Sequence, residues 1–66
     1  MKQIKLKEAK KGELLFLKNP EEHPTAALYV KGDYIRDLKK YELYMWEDVN
    51  HYTYKKGDFS VYVEED

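Results

Sequence analysis

A chain of 66 residues with no cysteine and a net charge of −1 excludes several classes of protein. Disulfide frameworks and thiolate zinc sites both need cysteine, and in so short a chain a deep pocket would compete with the core for the same apolar residues. No apolar run approaches the roughly 20 residues that span a bilayer, and no signal-peptide segment follows the basic start. We therefore expect one cytoplasmic domain over residues 1–66, without a membrane partner.

Charge is distributed unevenly along the chain. Residues 1–18 contain six lysines and two glutamates, whereas the last three residues, Glu64, Glu65 and Asp66, are all acidic. Opposite charges on neighbouring strands stabilise a sheet. We therefore predict that the two ends of the chain lie side by side. The small net charge gives no global attraction to nucleic acid.

Two segments with strand character precede the first clear loop. Ile4 and Leu6 alternate with polar neighbours, as in a half-buried strand, and a loop or single helical turn then ends at Gly12. Residues 13–18 form an apolar run between charges, which is typical of a strand covered on both faces. Residues 19–25 contain two prolines, which exclude a regular helix or ladder, so this segment is predicted to be a loop.

The segment 28–46 holds the only tryptophan and four of the seven tyrosines, and it predicts a β-hairpin. In its first strand, residues 28–34, alternation places Leu28 and Val30 on the core side. Gly32 inside this strand predicts a bulge or a sharp bend.

The return strand of the hairpin, residues 40–46, also alternates. The side that carries Leu43 and Met45 is predicted to face the core. Tyr44 and Trp46 are then left on the outside.

The last third of the chain contains further strand signals. Residues 47–51 predict a turn, residues 52–54 resume a short strand, and residues 59–63 alternate cleanly with Phe59, Val61 and Val63 facing in. Five short strands separated by turn signals predict a small all-β barrel with at most one short helical turn. We expect a monomer or a weak homodimer, because an edge strand such as 59–63 could pair with a copy of itself.

Several turns and strands of the chain resemble those of one protein family. They are Lys11-Gly12-Glu13 with Phe16, Tyr29-Val30-Lys31-Gly32-Asp33-Tyr34 with Arg36, Lys39-Lys40-Tyr41-Glu42, Asp48-Val49, and Lys56-Gly57-Asp58 with Val61-Tyr62. In these segments the chain is similar to short, uncharacterised proteins of gut bacteria and their mobile elements, which are regarded as SH3-like β-barrels. The resemblance implies a five-stranded SH3-like barrel over nearly the whole chain, and it implies no activity and no cofactor. The chain departs from the family pattern at Ile35 and Leu38, which place apolar groups in a connection expected to be polar, and at its acidic end.

Groups that could perform catalysis are scarce. Ser60 is the only serine, it is predicted to point outward, and there is no cysteine, so acyl transfer has no supported nucleophile. A glycosidase needs a substrate cleft between two carboxyl groups, which a domain of this size does not easily provide. We predict that the protein is not an enzyme and has no catalytic residue and no cofactor.

The candidate metal ligands are Glu47, Asp48 and His51. Glu47 and His51 would share one face of a helix, a spacing that can bind zinc, but no third protein ligand is evident. The favoured interpretation is a turn with an exposed histidine, so no metal site is predicted.

Aromatic and basic side chains form the one candidate binding surface. Alternation places Tyr29 with Lys31, and Tyr44 with Trp46, on the face opposite the predicted core. The connection between the two hairpin strands adds apolar and basic groups nearby. The predicted binding residues are Tyr29, Lys31, Ile35, Arg36, Leu38, Lys40, Tyr44 and Trp46. The alternative is structural, because aromatic rings also pair across strands and lysine stems cover them.

Two kinds of partner suit such a surface. A protein partner is the leading hypothesis, because exposed tyrosine and tryptophan beside apolar side chains resemble interface anchors. Binding of single-stranded nucleic acid through the same aromatics and the nearby lysine and arginine residues is the alternative. Salt separates the two, since binding to nucleic acid weakens steeply as salt rises.

Overall fold

The computed structural model describes residues 1–65, which form one antiparallel β-sheet and a single 3₁₀ turn. The elements are β1 (Lys2–Lys5), the 3₁₀ turn (Leu6–Glu8), β2 (Leu14–Phe16), β3 (Leu28–Ile35), β4 (Lys40–Met45), β5 (Tyr52–Lys55) and β6 (Ser60–Val63). The order across the sheet is β1-β6-β2-β3-β4-β5. The predicted all-β class with one short helical turn is confirmed. Asp66, the last residue of the predicted acidic tail, lies outside the described residues.

The sheet has six strands, where the turn pattern predicts five. The individual strand segments predicted from the sequence already number six, because residues 52–54 form a strand of their own after the turn predicted at residues 47–51, and the structure confirms both. Two hydrogen bonds close this turn: the amide of His51 donates to the carbonyl of Asp48 (2.9 Å), and the amide of Asn50 donates to the Asp48 carboxylate (3.1 Å). β5 is therefore a separate strand antiparallel to β4, with Tyr52 opposite Tyr44. Within residues 1–65 the sheet is open, and its edges are β1 and β5.

The two ends of the described chain are neighbours in the sheet. β1 pairs with β6, and Lys2 lies opposite Val63, so the predicted adjacency of the chain ends is confirmed. The same pairing makes β6 an interior strand between β1 and β2. The prediction that residues 59–63 form an edge strand is therefore wrong, because both sides of this strand are occupied.

One face of the sheet curves around a small apolar core. Its buried members are Leu6, Ala9, Leu15, Leu43, Val61 and Val63, and Ile4, Leu17, Tyr29, Tyr41 and Phe59 pack against them. The predicted inward placement of Leu43, Val61 and Val63 is confirmed. Met45 is half-buried and Trp46 is exposed, as the alternation in β4 predicts.

The predicted facing of β3 is wrong. Tyr29 lies opposite Met45, and Lys31 lies opposite Leu43. Residues directly opposite each other in a sheet point to the same side, so Tyr29 and Lys31 face the core. A shift of one residue in register moves every side chain to the other face, and sequence alternation alone does not distinguish the two registers here. Val30 is still buried, because it lies between Leu14 and Tyr44 on the opposite face.

The predicted bulge at Gly32 is confirmed. The register shifts between Lys31 and Tyr34, so β3 contains one more residue than the facing part of β4. A Cβ atom at Gly32 would lie 3.2 Å from the carbonyl oxygen of Glu42 and 3.4 Å from a ring carbon of Tyr44. Glycine therefore suits this close approach of the two strands, because a Cβ atom would force its neighbours to move by a few tenths of an ångström. Within residues 1–65, no helix is long and apolar enough to cross a membrane.

Candidate binding surface

Apolar and aromatic side chains cover much of the sheet face opposite the core. Register places Leu14, Val30, Tyr44 and Tyr52 in one row across four strands. A second row contains Tyr62, Phe16 and Leu28. We call the following set the outer face: Leu14, Phe16, Leu28, Val30, Tyr44, Trp46, Tyr52 and Tyr62.

Trp46 belongs to the end of the second row. Its backbone amide donates to the carbonyl of Leu28 (2.9 Å), so the pairing of β3 with β4 continues one residue beyond the strand. This register places Trp46 opposite Leu28. Leu14, Tyr52 and Trp46 have exposed fractions of 43%, 56% and 60%. Single exposed apolar side chains are ordinary, but a group of them on one face is a candidate contact surface.

Two grooves share Leu28 in their linings. The first, about 310 Å³, is lined by Glu13, Leu14, Phe16, Leu28 and Glu64. The second, about 370 Å³, is lined by residues 24–28, Met45 and Glu47. The first groove therefore lies on the outer face and combines apolar side chains with the carboxylates of Glu13 and Glu64. The second groove lies at the end of the hairpin and includes Met45, which points to the core side of β4.

An ion pair lies at the bulge. The ammonium nitrogen of Lys11 is 2.6 Å from a carboxylate oxygen of Asp33, and both side chains are exposed. The hydrogen bond to Asp33, and the charge of that carboxylate, raise the pKa of Lys11 above its ordinary value. The pair neutralises a lysine that would otherwise add positive charge beside Tyr44.

The predicted exposure of Lys31 is wrong. Lys31 is only 5% exposed, and its ammonium group donates a hydrogen bond to the carbonyl oxygen of Ala9. The same ammonium lies 4.2 Å from the centre of the Tyr41 ring, a cation–π contact. Burial lowers the pKa of Lys31, and the charge of Glu13 opposes that shift in part. Lys31 therefore holds the 3₁₀-turn region against the sheet.

The other predicted binding residues fall into three groups. Tyr29 is half-buried against the core, so its predicted place on the outer surface is also wrong. Ile35 and Lys40 lie opposite each other at the far end of the hairpin, next to the exposed residues Arg36 and Leu38 of the turn. Tyr44 and Trp46 lie on the outer face. Of the predicted binding residues, the structure therefore places only these last two on the outer face, and neither lines a groove.

Sequence reasoning missed several members of the outer face. Leu14 and Phe16 lie in a run of four consecutive apolar residues, which hides the alternation between the two faces. Alternation places Leu28 on the core side of β3, which is wrong, whereas it places Tyr62 outward, as the structure confirms.

Comparison of the chain with protein-family models, with curated proteins and with solved structures finds no match.

Clusters of titratable groups do not extend the site. Within residues 1–65, no three histidine, cysteine, aspartate or glutamate side chains are close enough together to hold a metal ion. Asp48 serves the turn that precedes β5, and His51 is exposed there. The outer face therefore offers a ligand apolar side chains, exposed aromatic rings and the carboxylates of Glu13 and Glu64.

Proposed function

We propose that this protein is a non-enzymatic binding module that contacts a protein partner through its outer face. The observation that carries this proposal is the position of Trp46, Leu14 and Tyr52, three exposed large side chains on one face of a single sheet. Aromatic anchors surrounded by a polar rim are typical of protein interfaces. The outer face has such a rim in Glu13, Glu64 and the ion pair of Lys11 with Asp33.

An SH3-like barrel is the architecture that we propose for this module. The bulge at Gly32 supports it, because bulges bend a sheet towards closure. The amides of Leu6 and Lys7 donate to the carbonyls of Phe59 and Gly57 (both 2.9 Å) and so join the 3₁₀ turn to the connection between β5 and β6. We also propose that the module acts in the cytoplasm, consistent with a chain that uses no cysteine.

Nucleic acid is the less favoured partner. Arg36, Lys39 and the aromatic ring of Tyr34 are exposed together at the hairpin end, which is the arrangement that supports this alternative. The groove on the outer face, however, is lined by the carboxylates of Glu13 and Glu64 and by no lysine or arginine. A polyanion would be repelled there.

The test is capture of partners by immobilised protein, with substitutions on and off the outer face. Trp46→Ala combined with Leu14→Ser removes two exposed anchors, and we expect it to abolish capture while the fold is retained. Val49→Ser is the matched control, because Val49 is 66% exposed but lies outside the outer face. Capture should survive nuclease treatment and 1 M salt. Loss of all capture on nuclease treatment, or equal capture by both variants, would refute the proposal.

A further inference from the structure

The open sheet has two edge strands, and only one of them is protected against pairing with another chain. At the β1 edge, the carboxylate of Glu8 accepts a hydrogen bond from the amide of Lys5 (3.1 Å), and the side chains of Lys2 and Lys5 are exposed. Charged side chains and covered backbone groups are the usual means by which proteins keep edge strands from pairing. The first three residues of the β5 edge, Tyr52–Lys55, carry no charge. β5 is therefore the edge at which a further strand can join the sheet.

The free backbone groups of β5 belong to its two tyrosines. The amide of Met45 donates to the carbonyl of His51 (2.9 Å), so these two residues are a hydrogen-bonded pair at the start of the β4–β5 ladder. Hydrogen-bonded and non-hydrogen-bonded pairs alternate along an antiparallel ladder, and Tyr52 and Tyr54 therefore occupy non-hydrogen-bonded positions. Their amides and carbonyls point away from β4, and within residues 1–65 no backbone hydrogen bond occupies them.

We propose that β5 pairs with β5 of a second copy of this chain, in antiparallel orientation and across a twofold axis at Thr53. The segment Tyr52-Thr53-Tyr54 reads the same in both directions, so this register places each Tyr52 opposite Tyr54 of the second copy. Both free amides and both free carbonyls of these tyrosines then find partners in the other copy. The inference does not depend on the proposed function, because it rests on the sheet edge and not on the outer face.

The aromatic side chains suit this seam between the two copies. Tyr52 and Tyr54 lie on the same side of the sheet as Tyr44, and their ring centres are 5.8 Å apart. Pairing of β5 with its copy joins the tyrosines of both chains into one aromatic cluster, and aromatic pairs across strands stabilise a sheet. Because the twofold axis is perpendicular to the sheet, the two outer faces lie on the same side and form one continuous surface.

The charges around β5 favour a second copy over an unrelated strand. Glu47 and Asp48 lie in the turn before β5. Lys55 and Lys56 lie at its other end. Antiparallel pairing brings the basic end of each copy towards the acidic turn of the other, and opposite charges across strands are favourable. Each copy contributes only one short strand, so the seam is smaller than a standard interface, and we expect a weak dimer with a dissociation constant in the micromolar to millimolar range.

The first test measures amide hydrogen exchange of the ¹⁵N-labelled full chain at protein concentrations from about 20 µM to about 1 mM. We expect the amides of Tyr52 and Tyr54 to exchange more slowly as the concentration rises, because they become hydrogen-bond donors in the seam. The amide of Thr53 is the internal control: it faces β4 in both states, so its exchange should change less. Sedimentation equilibrium over the same range should show the mass rise towards that of a dimer.

The second test uses the position of Thr53 on the twofold axis. In the proposed register Thr53 lies directly opposite its own copy, so a charge placed there faces a like charge. Thr53→Lys and Thr53→Glu should each weaken self-association at least about fivefold, and an equal mixture of the two variants should restore it, because lysine then faces glutamate. Gln3→Lys is the matched control, since Gln3 is exposed on the β1 edge, and it should associate as the unmodified protein does.

Each result decides the inference. A protein that stays monomeric at about 1 mM would overturn it, as would self-association that slows exchange in β1 but not at Tyr52 and Tyr54. Folded Thr53→Lys and Thr53→Glu variants that associate as well as the unmodified protein, or whose mixture stays monomeric, would also overturn it. If these variants do not fold, the exchange rates of the unmodified protein decide. The proposed function fails separately, by its own criterion: partner capture that does not depend on Trp46 and Leu14.

Discussion

Lys31 is buried on the core side of the sheet, directly opposite Leu43. A buried charge is tolerated only where polar or aromatic groups replace its water, and here the carbonyl of Ala9 and the ring of Tyr41 do so. The residual cost of burial lowers the pKa of Lys31 from the ordinary value of 10.5. This shift links the stability of the fold to pH.

The sign of that link follows from proton binding. Because the folded state releases the proton of Lys31 at a lower pH than the unfolded state does, the unfolded state binds more protons in between. The stability contributed by Lys31 therefore rises as pH increases from the lowered pKa towards 10.5. We predict that the stability of the unmodified protein relative to Lys31→Met increases between pH 7 and pH 10. Urea unfolding at several pH values measures this difference.

Lys56→Met is the control for the pH experiment, because Lys56 is exposed. The stability of Lys56→Met relative to the unmodified protein should not change over the same pH range. Ionisation of the tyrosines affects the unmodified protein and both variants alike, so it cancels in each comparison. A difference for Lys31→Met that stays constant or declines with pH would contradict the buried position of this lysine.

At the scale of single elements, β2 tests the division between core and outer face. Leu15 is completely buried, whereas its neighbour Leu14 is 43% exposed. We predict that Leu15→Ala costs about 2–5 kcal/mol of the free energy of unfolding, because it leaves a cavity in the core. Leu14→Ala should cost less than about 1 kcal/mol. Thermal unfolding followed by circular dichroism measures both, and equal losses would mean that β2 is covered on both faces.

Whether the inward-facing side of a strand could be predicted depends on how strongly its two faces differ in polarity. In β4 and β6 the alternation is clear, so Leu43, Val61 and Val63 are assigned correctly to the core. In β3 the two faces carry Leu28 with Val30 and Tyr29 with Lys31, and tyrosine and lysine both bury long apolar stems. Local sequence offers no decision between these pairs. The pairing with β4 decides, and it is a long-range property of the fold.

The same difference in polarity decides which parts of the candidate site could be predicted. Trp46 and Tyr44 could be predicted, because they alternate with inward-facing residues on a strand with clear contrast. The grooves could not be predicted, because their linings depend on which strands become neighbours in the sheet. Sequence alone does not show that Glu64 after β6 and Glu13 before β2 line the same groove.

At the scale of the whole molecule, the small core depends on the pairing of the two chain ends. β1 covers one side of β6, which carries the buried residues Val61 and Val63. We predict that removal of residues 1–5 costs about 2 kcal/mol, which corresponds to a fall in Tm of roughly 10 °C or more for a domain of this size. Differential scanning calorimetry measures the change.

A control for this truncation keeps the strand and changes only its charge. Lys2→Gln with Lys5→Gln retains the backbone pairing, and both side chains are exposed, so Tm should change by no more than about 3 °C. If this charge variant lost as much stability as the truncated chain, the stabilisation by residues 1–5 would come from their charge and not from strand pairing.

The placement of the outer face is tested most directly by NMR relaxation in the presence of a soluble, neutral gadolinium chelate. The probe accelerates the relaxation of protons that are near the solvent. We predict strong enhancement for the indole N–H of Trp46 and the methyl groups of Leu14, and weak enhancement for the methyl groups of Leu15 and Leu43. Protection of Trp46 and Leu14 to the same degree as Leu15 and Leu43 would contradict an exposed aromatic face, and with it the proposed binding surface.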